Sequence, residues 1–143
     1  GLAKKMGYKY TRYADDLAFS GDSISSTFTQ YVVRIISECK FIVNADKVKL
    51  YKGDGAKILT GVSLANGKIR VPREYRRNLE QELYFIKQYG MGEHMHRRKI
   101  KNPHYLESVI GKTEFWLMLE PENEFAKSAF EYLIVLYKQK YSI

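Results

Sequence analysis

The pattern of hydrophobic and polar residues in the first twenty positions is that of a β-hairpin. Residues 8–13 alternate along a β-prone stretch and predict one strand, and residues 17–20 predict a second, shorter strand. Asp15 and Asp16 lie between the two strands. The pattern therefore predicts that both carboxylates are held at the tip of a hairpin, where a rigid backbone can present them to one site.

Helical spacing then replaces the alternation. Ser25 or Ser26 can cap a helix that continues to about Lys40. Its apolar stripe contains the single cysteine and predicts a buried position for that thiol. The stripe consists of Phe28, Val32, Ile35, Ile36 and Cys39.

Three more strands are predicted before residue 72. Residues 47–51 alternate as a strand, and residues 52–55 form a turn. Residues 58–64 and 68–71 predict a hairpin around Asn66-Gly67, because both positions of Asn-Gly accept the positive φ of a tight turn. The first half of the chain is therefore predicted to be α+β.

The second half predicts helices. Pro72 suits the first turn of a helix over residues 73–89, which ends at the glycines of residues 90–92. A basic segment over residues 94–104 follows. Pro103 can open a second helix as far as Leu119, with a break at Gly111, and residues 121–122 can open a third as far as about Tyr141. The residues predicted to face inward are Leu79, Leu83 and Ile86 on the first helix and Phe125, Ala129, Tyr132, Leu133 and Leu136 on the third.

The composition is that of a folded basic protein. The 143 residues are 45% hydrophobic, which is sufficient for one domain or two small subdomains. A net charge of +8 indicates an anionic partner, although a merely soluble basic surface would also carry it. One cysteine excludes a disulfide framework and a cysteine zinc site. The sequence contains no signal peptide and no apolar run of membrane-spanning length, so a cytoplasmic protein is predicted.

The aspartate pair has two interpretations. Asp-Asp pairs are common in solvated turns, and Asp15 and Asp16 taken alone favour such a turn. Two close carboxylates repel each other, however, and a divalent cation removes that repulsion. Magnesium takes oxygen ligands from carboxylates and phosphates together. The strands on both sides favour this second interpretation.

The residues around the pair resemble a known catalytic box. Tyr13-Ala14-Asp15-Asp16 is similar to the Tyr-x-Asp-Asp box of reverse transcriptases, and the longer string from Tyr10 to Ser20 resembles the bacterial retron-type enzymes in particular. The resemblance covers essentially the whole chain. It implies that residues 1–71 are the C-terminal part of a polymerase palm and that residues 72–143 are an α-helical thumb.

The resemblance also implies an activity. Asp15 and Asp16 would be catalytic ligands of Mg²⁺, or of Mn²⁺, in a two-metal reaction in which a primer 3′-hydroxyl attacks the α-phosphate of a deoxynucleotide. The partners would be an RNA template and a DNA primer or RNA–DNA hybrid. A further metal-binding carboxylate is expected on an earlier palm strand. Because the chain begins at Gly1 and reaches the hairpin almost at once, we expect a fragment that is inactive without the fingers and the rest of the palm of the same polypeptide.

Two further segments resemble the same family. Asn44-Ala45-Asp46-Lys47 resembles the box after the palm helix, with Val48 in place of the usual threonine. Lys47 matches the lysine that approaches the triphosphate, where an ammonium can neutralise or protonate a leaving group. A lysine before an edge strand is otherwise ordinarily solvated. Leu59-Thr60-Gly61 is similar to the Val-Thr-Gly triplet of retron enzymes and implies a hairpin that grips the primer, whereas its spacing alone indicates an ordinary hairpin.

Basic residues are the candidate contacts to nucleic acid. One group lies where the second hairpin meets the first helix of the second half, and another lies in the basic segment. Both would suit phosphate contacts, and a solvated surface would show the same pattern. The candidates are Arg70, Arg73, Arg76, Arg77, Arg97, Arg98, Lys99 and Lys101.

Other residues are given structural interpretations. His94-x-His96 is not interpreted as a metal site, because no cysteine or carboxylate ligand pattern accompanies it. Phe115 and Trp116 are interpreted as core. The alternative hypothesis for the whole chain is an RNA-binding module of a catalytically inactive, defence-associated protein that resembles a reverse transcriptase.

Overall fold

The computed structural model describes residues 1–53 and 55–142, and it confirms an α+β chain with small antiparallel sheets and several helices. Its residues form two compact units, one that ends at Thr60 and one that begins at Gly61. The border between palm and thumb, predicted between residues 71 and 72 from the family resemblance, stays a prediction. No helix in the described part of the chain is both long and apolar enough to cross a membrane.

The first unit contains α1 (Leu2–Lys5), β1 (Lys9–Tyr13), β2 (Asp16–Ser20), α2 (Ser26–Glu38) and β3 (Lys57–Leu59). The strands β1 and β2 are antiparallel, as predicted, and Tyr13 pairs with Asp16 at the tip. Helix α2 begins as predicted, because the Ser25 hydroxyl accepts a hydrogen bond from the Phe28 N–H at 3.1 Å.

The core of this unit is small and aromatic. The side chain of Phe28 is buried. The rings of Tyr8 and Phe19 pack edge-to-face on it, with centroids at 4.7 and 5.2 Å. The predicted burial of Cys39 is wrong: its thiol is exposed, because it follows the last turn of α2 and lies far along the helix from the packed first turn.

The predicted strand over residues 47–51 is also wrong. The Asn44 side chain accepts a hydrogen bond from the Asp46 N–H at 3.0 Å and starts a 3₁₀ turn at Ala45–Lys47. Residues 48–52 have no regular structure. The alternating pattern fails here because a local side-chain cap competes with the extended backbone that a strand requires.

The second unit begins with a hairpin. Strands β4 (Val62–Ala65) and β5 (Lys68–Arg70) pair around Asn66-Gly67, whose φ values of 50° and 70° confirm the predicted turn. The strand predicted over residues 58–64 is interrupted, however. Thr60 and Gly61 have φ values of 45° and 84°, which an extended strand does not allow.

Four helices complete the second unit: α3 (Arg73–Tyr89), α4 (Met91–Arg97), α5 (Tyr105–Leu119) and α6 (Glu124–Tyr141). The bounds of α3 are those predicted. Helix α4 was not predicted, and it starts directly after Gly90, whose φ of 78° reverses the chain. Helix α6 starts at Glu124, after the predicted start at residues 121–122, because the Asn123 side chain accepts a hydrogen bond from the Ala126 N–H.

Buried residues of α3, α5 and α6 form the core of the second unit. The predicted inward face of α3 is confirmed, and Trp116 is completely buried with Phe115 packed against the same core. The predicted break at Gly111 is wrong, because α5 continues through it with buried residues on both sides. Phe125 was predicted to face inward but is 48% exposed. The core residues are Val71, Leu79, Leu83, Ile86, Tyr105, Leu106, Val109, Trp116, Ala126 and Leu133.

Candidate functional site

The acidic hairpin has a two-residue loop formed by Ala14 and Asp15. Ala14 has a φ of 50°, a left-handed conformation that a two-residue hairpin needs at its first position and that costs energy for a residue with a Cβ. The Arg12 side chain holds this loop, since its Nε–H donates to the Ala14 carbonyl at 2.7 Å. Both aspartates are exposed. The hairpin therefore presents two carboxylates from a fixed backbone.

Asp16 lies on a face of the hairpin that borders a cavity. Because side chains alternate along strands, Asp16 and Ala18 on β2 share a face with Thr11 and Tyr13 on β1. Together with Leu59 and Thr60, and beside Arg12, these residues line an open cavity of about 140 Å³ within the first unit. The structure thus brings one predicted metal ligand together with two residues of the Leu-Thr-Gly triplet.

Asp15 and Lys47 occupy different places. Asp15 lies in the hairpin loop, and Lys47 is exposed on the 3₁₀ turn. Neither residue lines the cavity beside Asp16. The role predicted for Lys47 in catalysis stays a prediction.

The donor set of the hairpin fits magnesium in part. Carboxylate oxygens are hard ligands, and Mg²⁺ is commonly held by one or two carboxylates together with water and substrate phosphates. Within residues 1–53 and 55–142, no group of three or more His, Cys, Asp and Glu side chains could surround a metal ion. Asp15 and Asp16 could therefore supply two oxygen ligands, and further ligands would have to come from elsewhere.

The candidate basic residues lie on β5, α3, α4 and the segment after α4. Arg73 and Arg77 are exposed on the first turns of α3, whereas Arg76 is half-buried with its Nε 3.8 Å from Glu80. Arg70 lines an open groove with Glu120 and Glu122.

Arg97 is more constrained than the other basic residues of this segment. Its Nε–H donates to Glu93 at 2.7 Å, and its guanidinium lies 4.3 Å from the centre of the Tyr89 ring. Arg98, Lys99 and Lys101 follow it and are exposed. These basic residues of the second unit form two groups, one at the start of α3 and one beyond its end, and both groups together are referred to as the basic surface: Arg70, Arg73, Arg76, Arg77, Arg97, Arg98, Lys99 and Lys101.

Among curated proteins, the Retron Mx65 reverse transcriptase of Myxococcus xanthus is 40% identical to this chain over 86 residues. Part of this chain is related to a retron reverse transcriptase. The match covers 59% of the chain but only 20% of that relative. It is longer than either compact unit, so it includes residues of both. No protein-family model matches the chain, and no solved structure matches it.

The relationship to the retron enzyme supports a region related to reverse transcriptases. It assigns no role to individual residues, so the metal ligands, Lys47 and the nucleic-acid contacts stay predictions.

A polar network that joins α3, α4 and α5 was missed by the sequence analysis. The Tyr105 hydroxyl donates to Glu82 at 2.5 Å, and His94 Nε2 lies 2.9 Å from the same hydroxyl. The Lys112 ammonium donates to both oxygens of Glu82 at 3.0 and 3.2 Å. Glu82 is one residue from Leu83 and three from Leu79 on the buried face of α3, a position that could have indicated a partnered carboxylate.

The hydrogen bonds of this network require a proton on Nε2 of His94. Tyr105 gives its only hydroxyl proton to Glu82, so Nε2 of His94 must be the donor to the Tyr105 oxygen. Burial lowers the pKa of His94, an effect that Glu82 opposes and Arg98 reinforces. Burial, together with the hydrogen bond and charge of Glu82, raises the pKa of Tyr105. The network thus holds α4 against α3 and α5 with His94 neutral.

We expect the free energy of unfolding of the chain to fall as the pH drops below about 6.5. Since the folded pKa of His94 is lower than its unfolded value, the unfolded state binds more protons in this window, and the slope can reach about 1.4 kcal/mol per pH unit for one group. Denaturant unfolding between pH 4.5 and 8 measures it. The pKa of Glu107, lowered to about 2 chiefly by a hydrogen bond from Tyr141, affects stability only below about pH 4.5.

The control separates His94 from the other histidines. In His94→Gln the amide can still donate to Tyr105, but it does not take up a proton in this pH range. We therefore expect the slope of the unfolding free energy between pH 4.5 and 6.5 to become smaller. His96→Gln, at an exposed position of the same helix, should leave the slope unchanged. An unchanged slope in His94→Gln would show that another group causes the pH dependence.

Proposed function

We propose that this chain is the part of an RNA-directed DNA polymerase that carries the paired aspartates of the palm, in residues 1–71, and a helical thumb, in residues 72–143. One observation carries the proposal. The Tyr13-Ala14-Asp15-Asp16 box forms a clamped hairpin with both carboxylates exposed, in a chain that is 40% identical over 86 residues to a retron reverse transcriptase.

In this proposal Asp15 and Asp16 hold Mg²⁺, or Mn²⁺, with their carboxylate oxygens. Metal bound there would supply Lewis-acid activation of the primer 3′-hydroxyl and charge stabilisation of the leaving pyrophosphate. The chain itself contributes the fixed position of the acids, through the Arg12 bond to the Ala14 carbonyl. Leu59 and Thr60, which line the cavity beside Asp16, would contact the primer end, together with Gly61, which follows them. Lys47 would neutralise or protonate the leaving group.

The proposed site needs more than this chain. Two carboxylates leave most of the coordination of two metal ions to other ligands, and a further acid is expected on an earlier palm strand. We therefore propose that residues 1–143 act together with the fingers and the remaining palm of one longer polypeptide, and that they do not extend a primer alone.

The basic surface is proposed to bind the RNA template and the primer, or their hybrid, through phosphates. Exposed arginines release condensed counterions when they neutralise phosphates, so the affinity should fall steeply with salt. The net charge of +8 supports this assignment.

Exchanging five arginines for glutamine should weaken the binding of an RNA–DNA hybrid by the 143-residue chain. The variant combines Arg73, Arg76, Arg77, Arg97 and Arg98. The slope of log affinity against log salt should become smaller by roughly one for each lost phosphate contact. Because Glu80 and Glu93 already pair with Arg76 and Arg97, we expect a total change nearer three than five. Fluorescence anisotropy over a salt series measures both quantities.

The control for the five arginines removes two cations outside the basic surface. Arg34→Gln with Lys138→Gln changes exposed cations on α2 and α6 and should leave the salt slope unchanged. Equal affinity of the five-residue variant and the unaltered chain would mean that these arginines are merely solvated.

A further inference from the structure

Three side chains of α3 and α4 form a stack in the second unit, and a fourth packs beside it. The Phe85 and Tyr89 rings are nearly parallel, with an angle of 13° and centroids 6.1 Å apart. The Arg97 guanidinium carbon lies over the Tyr89 ring, 4.3 Å from its centroid, and the Tyr84 ring packs on Phe85 at an angle of 70° with centroids 5.4 Å apart. These are the side chains that a base-stacking surface uses: aromatic rings and a planar cation.

The outer member of the stack is held in place but exposed. Glu93 fixes Arg97 one helical turn away, by the 2.7 Å bond to Nε, and the Tyr89 ring lies against the guanidinium. The Arg97 side chain is nevertheless 56% exposed, and that of Tyr84 is exposed as well. A planar group that is already ordered loses little entropy when another planar group stacks on it.

The charge of Arg97 favours a base over a phosphate. The Glu93 carboxylate lies beside the guanidinium and would repel an incoming phosphate, whereas a nucleobase is neutral. Arg98, Lys99 and Lys101 follow in the chain and are exposed without such a pairing to a carboxylate among the described residues. Phosphates of the same strand would therefore meet cations within four positions of Arg97 along the chain.

We propose that Arg97, supported by Tyr89 and Phe85, is the stacking site for an unpaired nucleobase of single-stranded nucleic acid, flanked by phosphate contacts to Arg98, Lys99 and Lys101. This inference rests on the proposed nucleic-acid binding and specifies its substrate: a strand with splayed bases, not only a duplex. It also changes the role of Arg97 from a phosphate contact to a positioned planar surface.

Arg97→Lys tests the inference, because lysine keeps the charge and can still pair with Glu93 but has no planar face. The probes are fluorescein-labelled 12-nucleotide RNA and DNA strands of one sequence, the same strands with abasic sites, and a blunt hybrid duplex. We expect Arg97→Lys to weaken binding of the single strands about fivefold or more, in line with the contribution of one stacked base, with the salt slope unchanged. Binding of the abasic strands and of the duplex should not change. The affinities for the RNA strand and the DNA strand show which of the two nucleic acids the site prefers.

Two further variants make the outcome decisive. Tyr89→Leu should weaken single-strand binding similarly, because it removes the ring on which the guanidinium rests. Arg34→Lys alters an arginine that pairs with a glutamate four positions away on α2, Glu38, and it should have no effect. Wild-type affinity in Arg97→Lys, together with a salt slope reduced by about one in Arg97→Gln, would overturn the inference in favour of a phosphate contact. If the unaltered chain shows no salt-dependent binding to any probe, the proposed function fails instead.

Discussion

Replacing Asp15 and Asp16 together by alanine is expected to lower deoxynucleotide incorporation by about 10³-fold or more in a polymerase that contains this sequence. Asp15 in the hairpin loop and Asp16 at the residue pair that closes it are the only acids at the tip of the hairpin. Their loss removes the proposed oxygen ligands. Metal-supplied charge stabilisation contributes several kcal/mol to such a transition state, and each 1.36 kcal/mol corresponds to about tenfold in rate. Extension of a labelled primer on an RNA template measures the effect.

The control for the aspartate pair removes the same charge elsewhere in the first unit. Asp22→Ala with Glu38→Ala changes two exposed acids outside the hairpin and should retain incorporation. Wild-type rates in the Asp15→Ala, Asp16→Ala variant would refute the assignment of the metal ligands. A complete polypeptide that binds RNA but incorporates no nucleotide even with both aspartates would favour the alternative hypothesis, an inactive RNA-binding module.

Trp116→Ala is expected to lower the free energy of unfolding of the second unit by about 3–5 kcal/mol. The indole is completely buried between α5 and α6, with the Phe125 ring 5.7 Å away, and its removal leaves a large cavity in the only substantial core of the described chain. Because Trp116 is the only tryptophan, urea unfolding should be followed by far-UV circular dichroism.

Two further variants test the contribution of Trp116 to stability. Its indole N–H is buried without a hydrogen-bond partner, so Trp116→Phe also removes an unsatisfied donor and should be much less destabilising than Trp116→Ala. Met118→Ala, at a 69% exposed position of the same helix, should change stability by less than about 0.5 kcal/mol. A small loss in Trp116→Ala would mean that the core repacks around the missing ring.

The sequence predicted helices better than strands, for a physical reason. Helix α3 has the predicted bounds, because Leu79, Leu83 and Ile86 recur with the helical period and Pro72 precedes its first turn. Residues 47–51 alternate like a strand, but Lys47 lies in a 3₁₀ turn and residues 48–51 have no regular structure. An alternating pattern predicts which side chains would share a face of a strand. A strand also needs a neighbouring strand to pair with, and the local sequence does not reveal one.

The sequence predicted one part of the candidate site and missed others. The aspartate hairpin follows from a local pattern, and the structure confirms its position at the tip. The cavity that joins Asp16 with Leu59 and Thr60 depends on residues more than forty positions apart, which no periodicity reveals. The His94–Tyr105–Glu82 network was missed for the same reason, since its members come from three helices.

The hydrogen bond from the Val71 N–H to Glu120, at 3.1 Å, has a mechanical consequence. It joins the end of the β4–β5 hairpin to the end of α5, and Val71 itself is buried in the helical core. A tilt of the helices would therefore carry the hairpin and Arg70 with it. The hairpin and the helical core are therefore mechanically coupled at Val71 within the second unit.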